Sequence, residues 1–312
     1  MITFLKKRKE NHKTNELTDI TLNVFFDELY YPFSIKTKKN HHNDYGNYNR
    51  HLRKQLGCTK LTALKNQQLD NWVQNQIELD LQRSTINKHI FLINRIINLA
   101  RHWNYLPQYS RELQTLTPLK IGDFHQRFLS EHEITLMLEA TQTISHPFLH
   151  YFVKLLLLTG ARKSEARLSK WSHFDLENKI WTVPKSKNGR ARRIVLSDAT
   201  INLLKLIEKR GNEVCSHIPN REYLFINPKT GTAYDSFYRA WYEARDKAKL
   251  SDVRLHDLRH TFASLLINKG VSLYEVQTLL GHSSPQMTQR YAHLQPNLLH
   301  ARTEIVANMV HG

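Results

Sequence analysis

Between Thr21 and about Leu106, apolar residues recur at the three- and four-residue spacing of amphipathic helices. In NVFFDELYYPF, Phe25 pairs with Leu29 and Phe26 with Tyr30, and HLRKQLG ends on Gly57, a helix stop. LDNWVQNQIELDLQ follows, then STINKHIFLINRIINLARHW, in which Ile86, Ile90, Ile93 and Ile97 form one stripe. Ser84 and Thr85 are placed to cap that helix, Lys88 and Arg95 fall opposite the stripe, and Arg101 lies near its end. The pattern predicts an all-helical domain over residues 19–108 with a basic face, behind a flexible basic tail at 1–18. Pro107 and Pro118 break the period and mark 109–124 as a linker.

A second domain is expected over 125–312. It opens at LSEHEI, where Ser130 and Glu133 form an S-x-x-E capping box, and a helix is predicted around 146–158. After the turn TGARKSEARLSKW come three short β-type runs, HFDL, KIWTVP and RRIVLS. The last two flank KSKNGRA, whose Asn188-Gly189 pair signals a hairpin. Beyond REYLFINP the pattern is helical again. The expected class is mainly α with a small antiparallel β-sheet, an α+β domain preceded by an all-helical one.

Composition changes this picture through charge. The 312 residues hold 45 Lys and Arg against 28 Asp and Glu, a net charge of +17. Such an excess points to a polyanionic partner, because basic groups that neutralise phosphates release condensed counterions. Cys58 and Cys215 stand far apart without C-x-x-C spacing, which suits a reducing compartment and excludes a Cys-based zinc module. Neither a membrane-spanning apolar run nor a secretory leader is present in the sequence, and a cytoplasmic, nucleoid-associated protein is expected.

The second domain carries an inventory suited to phosphoryl transfer. Arg162 follows Gly160, with Glu165 one turn on; Lys187 sits at the hairpin tip with Lys185 before it. HDLRHTF supplies His256, Arg259 and His260; LLGHSSPQMTQRYAHL supplies His282 and Tyr291. Two arginines can clamp non-bridging oxygens, Lys187 can protonate a leaving oxygen, and Tyr291 can attack once a base, His256 or His282, takes its proton. Each piece also has an ordinary explanation. Met287, Tyr291 and Leu294 share a helix face, so Tyr291 alone reads as a core aromatic. Arg162 with Glu165 reads as a plain ion pair. Two competing constellations remain: a metal pair at His256 and His260, four residues apart on a helix, and a helix-turn-helix over 272–294.

In order, TGARKSEA, KSKNGRARRIVL, LHDLRHTFAS, LLGH and the Tyr nine residues later resemble the tyrosine recombinase (phage integrase) family over residues 125–296. The helical first domain resembles that family's core-binding domain more weakly. The resemblance implies catalytic roles for Arg162, Lys187, His256, Arg259, His282 and the nucleophile Tyr291, with Glu165 supporting. It implies a 3′-phosphotyrosyl intermediate and strand exchange in a synaptic tetramer on double-stranded DNA, with no ATP, metal or other cofactor. Candidate DNA contacts are Lys88, Arg95 and Arg101 of the first domain and Arg190 and Arg192 of the hairpin. A C-terminal helix near 296–310 is expected to dock on a neighbouring subunit, and an accessory directionality or host factor is a possible further partner. Integration or excision of a mobile element is the leading expectation. The alternatives are a chromosome-dimer-resolving or integron-type recombinase, a type IB topoisomerase, and a DNA-binding regulator without catalysis. An arm-binding domain is not recognisable ahead of the helical one, which weakens the expectation of a complex phage-type integrase and leaves open whether such a domain is missing.

Overall fold

The computed structural model describes residues 20–122, 127–184, 191–282, 284–294, 304 and 307–310. The expected basic tail at 1–18 lies outside them, as does most of the expected C-terminal helix. The chain divides into two compact units, residues 1–124 and 125–312. Among the described residues, no helix is long and apolar enough to cross a membrane.

The first unit is helical: α1 (22–37), α2 (41–56), α3 (Asn66–Glu78) and α4 (Arg83–His102). The middle of α1, Phe26–Tyr30, is wound with i→i+5 hydrogen bonds just before Pro32. Proline has no N–H to return to the preceding turn, and the widened turn accommodates that loss. Phe26 stacks on Tyr48 with centroids 3.6 Å apart, and the stripe Ile86, Ile90, Ile93 and Ile97 is fully buried beneath them. Gly57 ends α2 as its pattern predicts, for a reason of space: a Cβ there would sit 2.1 Å from Asn23 Oδ1 and 2.3 Å from the Arg53 carbonyl. The cap expected at Ser84 and Thr85 is not used. Gln82 precedes the first helical residue, and both hydroxyl residues lie inside the first turn.

The proline-bearing segment after α4 has little regular structure, yet it belongs to the first core. Asn66, Asn87 and Asn94 each accept from its backbone N–H groups, at Gln114, Leu119 and Leu116, over 2.7–2.8 Å. Arg101 donates to the Leu113 carbonyl (2.5 Å), and the Leu113 side chain is buried. An amide that reads a backbone N–H in this way substitutes for a β-ladder partner, satisfying groups a strand would otherwise have to meet.

The second unit opens with α5 (Glu131–Gln142), capped by the predicted Ser130–Glu133 box. It continues with α6 (Leu149–Thr159) and α7 (Lys163–Arg167). Strands β1 (Phe174–Asp175), β2 (Ile180–Val183) and β3 (Arg192–Val195) form an antiparallel sheet in the order β1-β2-β3, with Trp181 opposite Ile194. The Asn188-Gly189 turn that would join β2 to β3 lies outside the described residues. A 17-residue helix, α8 (Asp198–Val214), follows the last strand, in a stretch for which the pattern was given no element. Its signals were present: Ser197 caps it, and Leu203, Leu204 and Ile207 line its buried face. Helices α9 (Tyr238–Lys247), α10 (Asp257–Asn268), α11 (Leu273–Leu280) and the single turn α12 (Gln286–Gln289) complete the unit.

The core under the sheet packs Phe152 against Phe237, stacked at 3.9 Å, with Trp181 and Trp241 fully buried. A separate cluster joins α10, α11 and the segment after α12 through Ala263, Ile267, Val276, Leu280 and Tyr291. That cluster brings Tyr291 to the helix that carries Arg259 and that His256 precedes.

Candidate active site

The site begins with two helix ends. Gly160 ends α6 at φ +59° and Gly281 ends α11 at φ +62°, left-handed conformations that glycine adopts without steric penalty. Space demands glycine at both: a Cβ at Gly160 would lie 2.5 Å from Phe262, and one at Gly281 would lie 2.6 Å from Arg192 Cδ. Carbonyls at helix C-termini carry partial negative charge and lack partners within the helix, so they attract cations. Arg259 answers both ends, donating Nη1 to the Gly160 carbonyl (2.6 Å) and Nη2 to the Leu280 carbonyl (2.8 Å).

Arg162 stands just before α7. Its backbone N–H donates to Glu165 Oε2 (2.9 Å) and its Nη1 to Oε1 (2.8 Å). Arg192 of β3 donates Nη2 to the same Glu165 Oε2 (2.7 Å) and Nη1 to the Leu280 carbonyl (2.9 Å). Burial would raise the Glu165 carboxyl pKa, but Arg192, Arg162 and the backbone N–H outweigh it and hold the group below its ordinary value. One buried carboxylate thus ties α7 to the sheet, while Arg192 ties the sheet to α11. The Arg192 side chain is only 10 % exposed and is engaged with Glu165 and the Leu280 carbonyl, so it braces the site.

The histidines and the tyrosine converge on α10. His256 precedes its first residue, and its ring meets His260 edge-on at 4.9 Å. The buried Asp257 carboxylate accepts from the Arg254 backbone N–H and guanidinium, fixing the entry to the helix. His282 pairs its Nδ1 with Thr288 Oγ1 (2.8 Å), and Tyr291 pairs its hydroxyl with His260 Nδ1 (2.5 Å). Neither base expected for Tyr291, His256 or His282, is the histidine that meets its hydroxyl. Tyr291 is 5 % exposed and its ring belongs to an apolar cluster, as the core reading expects, while its hydroxyl meets His260.

Positive charge dominates the electrostatics. Burial, then Arg162 and Arg192, lower the Arg259 pKa to about 9. Burial, then Arg259 and Arg162, lower His282 to about 3. Burial followed by His256 lowers His260 to about 4, and burial followed by Arg259 lowers His256. Burial raises the Tyr291 phenol, and Arg290 and Arg259 pull against it. Every histidine here is held neutral first by burial and then by neighbouring cations, which Glu165 only partly balances. An entering anion would relieve that strain, and its non-bridging oxygens would meet guanidinium donors suited to bidentate contact.

Lys187, Lys185 and Arg190 lie outside the described residues. In the first unit Lys88 is exposed on α4, while Arg95 is half open and stands 3.7 Å from Asp44. Arg101 is engaged with the Leu113 carbonyl. Of the His256 and His260 pair, His260 turns its Nδ1 to Tyr291. Among the described residues, no group of three or more His, Cys, Asp or Glu could hold a metal ion. The helix-turn-helix alternative is limited by α12, which is four residues long.

Comparison with known proteins bears on the same region. Residues 127–297 match the phage integrase family. The integrase of Salmonella phage P22 is 32% identical over 192 residues, 56% of this chain and 46% of that protein. Tyrosine recombinase XerD of Rickettsia bellii is 31% identical over 248 residues, 73% of this chain and 79% of that one. The chain spans about half the length of several curated relatives it matches, 46%, 51% and 44% for three of them. Two solved structures share the fold. The Tn1549 transposon integrase bound to transposon right end DNA has a TM-score of 0.68 and 20% identity, covering 87% of this chain and 94% of that one. A lambda integrase tetramer bound to a Holliday junction has a TM-score of 0.70 and 18% identity, covering 92% and 80%. The arginine and histidine cluster around Tyr291 lies inside the matched residues, and the chain belongs to the phage integrase family.

Proposed function

We propose that this chain cuts and rejoins double-stranded DNA at specific sites through Tyr291, integrating or excising a mobile element. One observation carries the reading: a buried tyrosine hydroxyl that meets His260 and lies under the charge of Arg290 and Arg259, in a site where Arg162, Arg192 and Arg259 gather around Glu165. In this reading Arg162 and Arg259 hold the non-bridging oxygens of the scissile phosphate, with His256 and His282 beside them. Tyr291 forms the 3′-phosphotyrosyl bond while the 5′ oxygen leaves, and Lys187 protonates that oxygen. Glu165 keeps Arg162 aimed. A 5′-hydroxyl from a partner duplex then attacks the phosphotyrosine and releases Tyr291. The bond energy stays in the phosphotyrosine, so the cycle calls for no ATP.

The net charge of +17 supports a DNA partner. Likeness in fold to DNA-bound and junction-bound integrases supports assembly as a tetramer on two sites; action in the cytoplasm at the nucleoid belongs to the same proposal. Docking through the segment near 296–310 and recruitment of a directionality or host factor belong to the same proposal. The test is a covalent trap: protein, EDTA and sheared genomic DNA of the source organism, quenched in SDS, with the attached DNA ends sequenced. Attachment clustered at the ends of a mobile element is expected, and it should vanish in Tyr291→Phe. Clustering at a single chromosomal site would favour the chromosome-dimer-resolving type. Scattered attachment would favour a topoisomerase, and none, with DNA binding intact, a regulator.

A further inference from the structure

We propose that His260 is the catalytic base that takes the phenolic proton of Tyr291 during strand cleavage, an assignment that rests on the strand-cleavage reading above. The hydroxyl lies 2.5 Å from His260 Nδ1. The other two histidines are turned to different tasks. His282 Nδ1 pairs with Thr288 Oγ1, and His256 meets His260 edge-on, through its ring. His260 follows Arg259 directly on α10, and Arg259 is bonded to two helix-end carbonyls, so the imidazole sits on a braced helix end. Tyr291 is fixed from the other side by the cluster of Ala263, Ile267, Val276 and Leu280. Nucleophile and acceptor are therefore both held by packing before any DNA arrives, the arrangement that lets proton transfer accompany attack.

The step balances. The Tyr291 Oη–P bond forms and the P–O5′ bond breaks; the phenolic proton passes to His260 Nδ1, and the leaving 5′ oxygen receives its proton from Lys187. On rejoining, the imidazolium returns its proton to the departing phenolate. The groups facing the imidazole are His256, Arg290, Arg254 and Asp257. Burial and the first of these keep it neutral in the free protein, so Nδ1 is open to accept. A phosphate brought in beside Arg259 offsets the nearby cations and makes the imidazolium easier to form.

The test compares the full-length wild type with His260→Asn and His260→Ala, following the rate of SDS-stable attachment to sheared genomic DNA across pH 6–9. An Asn side chain reaches roughly the Nδ1 position and preserves the hydrogen bond, but it cannot take a proton at neutral pH. The expected result is about a 100-fold slower attachment for His260→Asn at pH 7. Its rate should also keep rising with hydroxide where the wild type levels off, and added imidazole should restore His260→Ala. A wild-type rate in His260→Asn, or no rescue by imidazole, overturns the assignment. Attachment faster than wild type in His260→Ala would overturn it too, showing that the contact holds Tyr291 in reserve. Absence of attachment by the wild type is a separate failure: it overturns the strand-cleavage reading itself, and the base with it.

Discussion

Replacing Glu165 with Gln removes one charge and changes little in shape, which isolates what that carboxylate does. Its two oxygens accept from Arg162 Nη1, the Arg162 backbone N–H and Arg192 Nη2, all within 2.7–2.9 Å. A glutamine offers one oxygen and one N–H₂ group. With the oxygen facing Arg192 and the backbone, the amide meets the Arg162 guanidinium donor to donor; turned over, it loses two partners instead of one. The carboxylate side chain is 6 % exposed, so water cannot replace the missing acceptor. Losing one charge-assisted bond costs about 1.5–3 kcal/mol, and breaking a buried pair about 3–5. We expect about 3 kcal/mol, a fall of roughly 6–12 °C in the melting of the 125–312 unit. Calorimetry of the full chain reads this directly, with the first unit's melting as an internal reference. Glu222→Gln, which breaks the exposed pair with Lys170, is the control and should cost under about 1 kcal/mol. Equal shifts for the two variants would refute the view that Glu165 anchors the arginines.

Gly281→Ala should cost about 2–4 kcal/mol, from the left-handed backbone together with a Cβ 2.6 Å from Arg192 Cδ, and should slow strand attachment; an unchanged denaturation midpoint would contradict this. His260, His282, His89 and His146 have folded-state pKa values lowered to about 4, 3, 4 and 4. Each favours the neutral form in the folded state. Their stabilisation is therefore complete above the unfolded pKa near 6.5 and lost as pH falls from there toward the folded values, at up to ~1.4 kcal/mol per histidine per pH unit. Urea unfolding at pH 7, 6 and 5 checks this, and a flat profile would contradict it. Lys88→Ala should weaken DNA binding evenly across sequences and reduce the log–log salt slope by about 1, measured by fluorescence anisotropy, whereas an unchanged slope would take α4 out of the phosphate contacts.

Much of this arrangement was legible in the sequence wherever chemistry is local. The Ser130–Glu133 box and the isoleucine stripe of α4 depend on residues three or four positions apart, the β2–β3 pairing on residues 9 to 15 apart, and each is present. Helix α8 is announced only by Ser197 and its apolar stripe, directly after the β-type run RRIVLS, with no break residue to separate the two. The asparagine contacts with residues 114–119 are a different matter. Asn87 and Leu119 are 32 positions apart, and no local period announces an amide aimed at a distant backbone. The residues of the site were readable as types but not as partners. Arg192 looked like a surface cation because its inward turn depends on the carbonyl of Leu280, and His260 looked like a neighbour of Arg259 because Tyr291 reaches it across 31 positions.

The central claim, that Tyr291 is the group joined to DNA, is tested most directly by mapping the bond itself. Attached protein would be recovered from SDS-quenched reactions, trimmed with nuclease and protease, and its modified peptide sequenced by mass spectrometry. The account predicts a single adduct on the Tyr291 side chain, linked to a 3′-phosphate and leaving a free 5′-hydroxyl on the other DNA end. An adduct on any other residue, or a 5′-phosphate linkage, would contradict it.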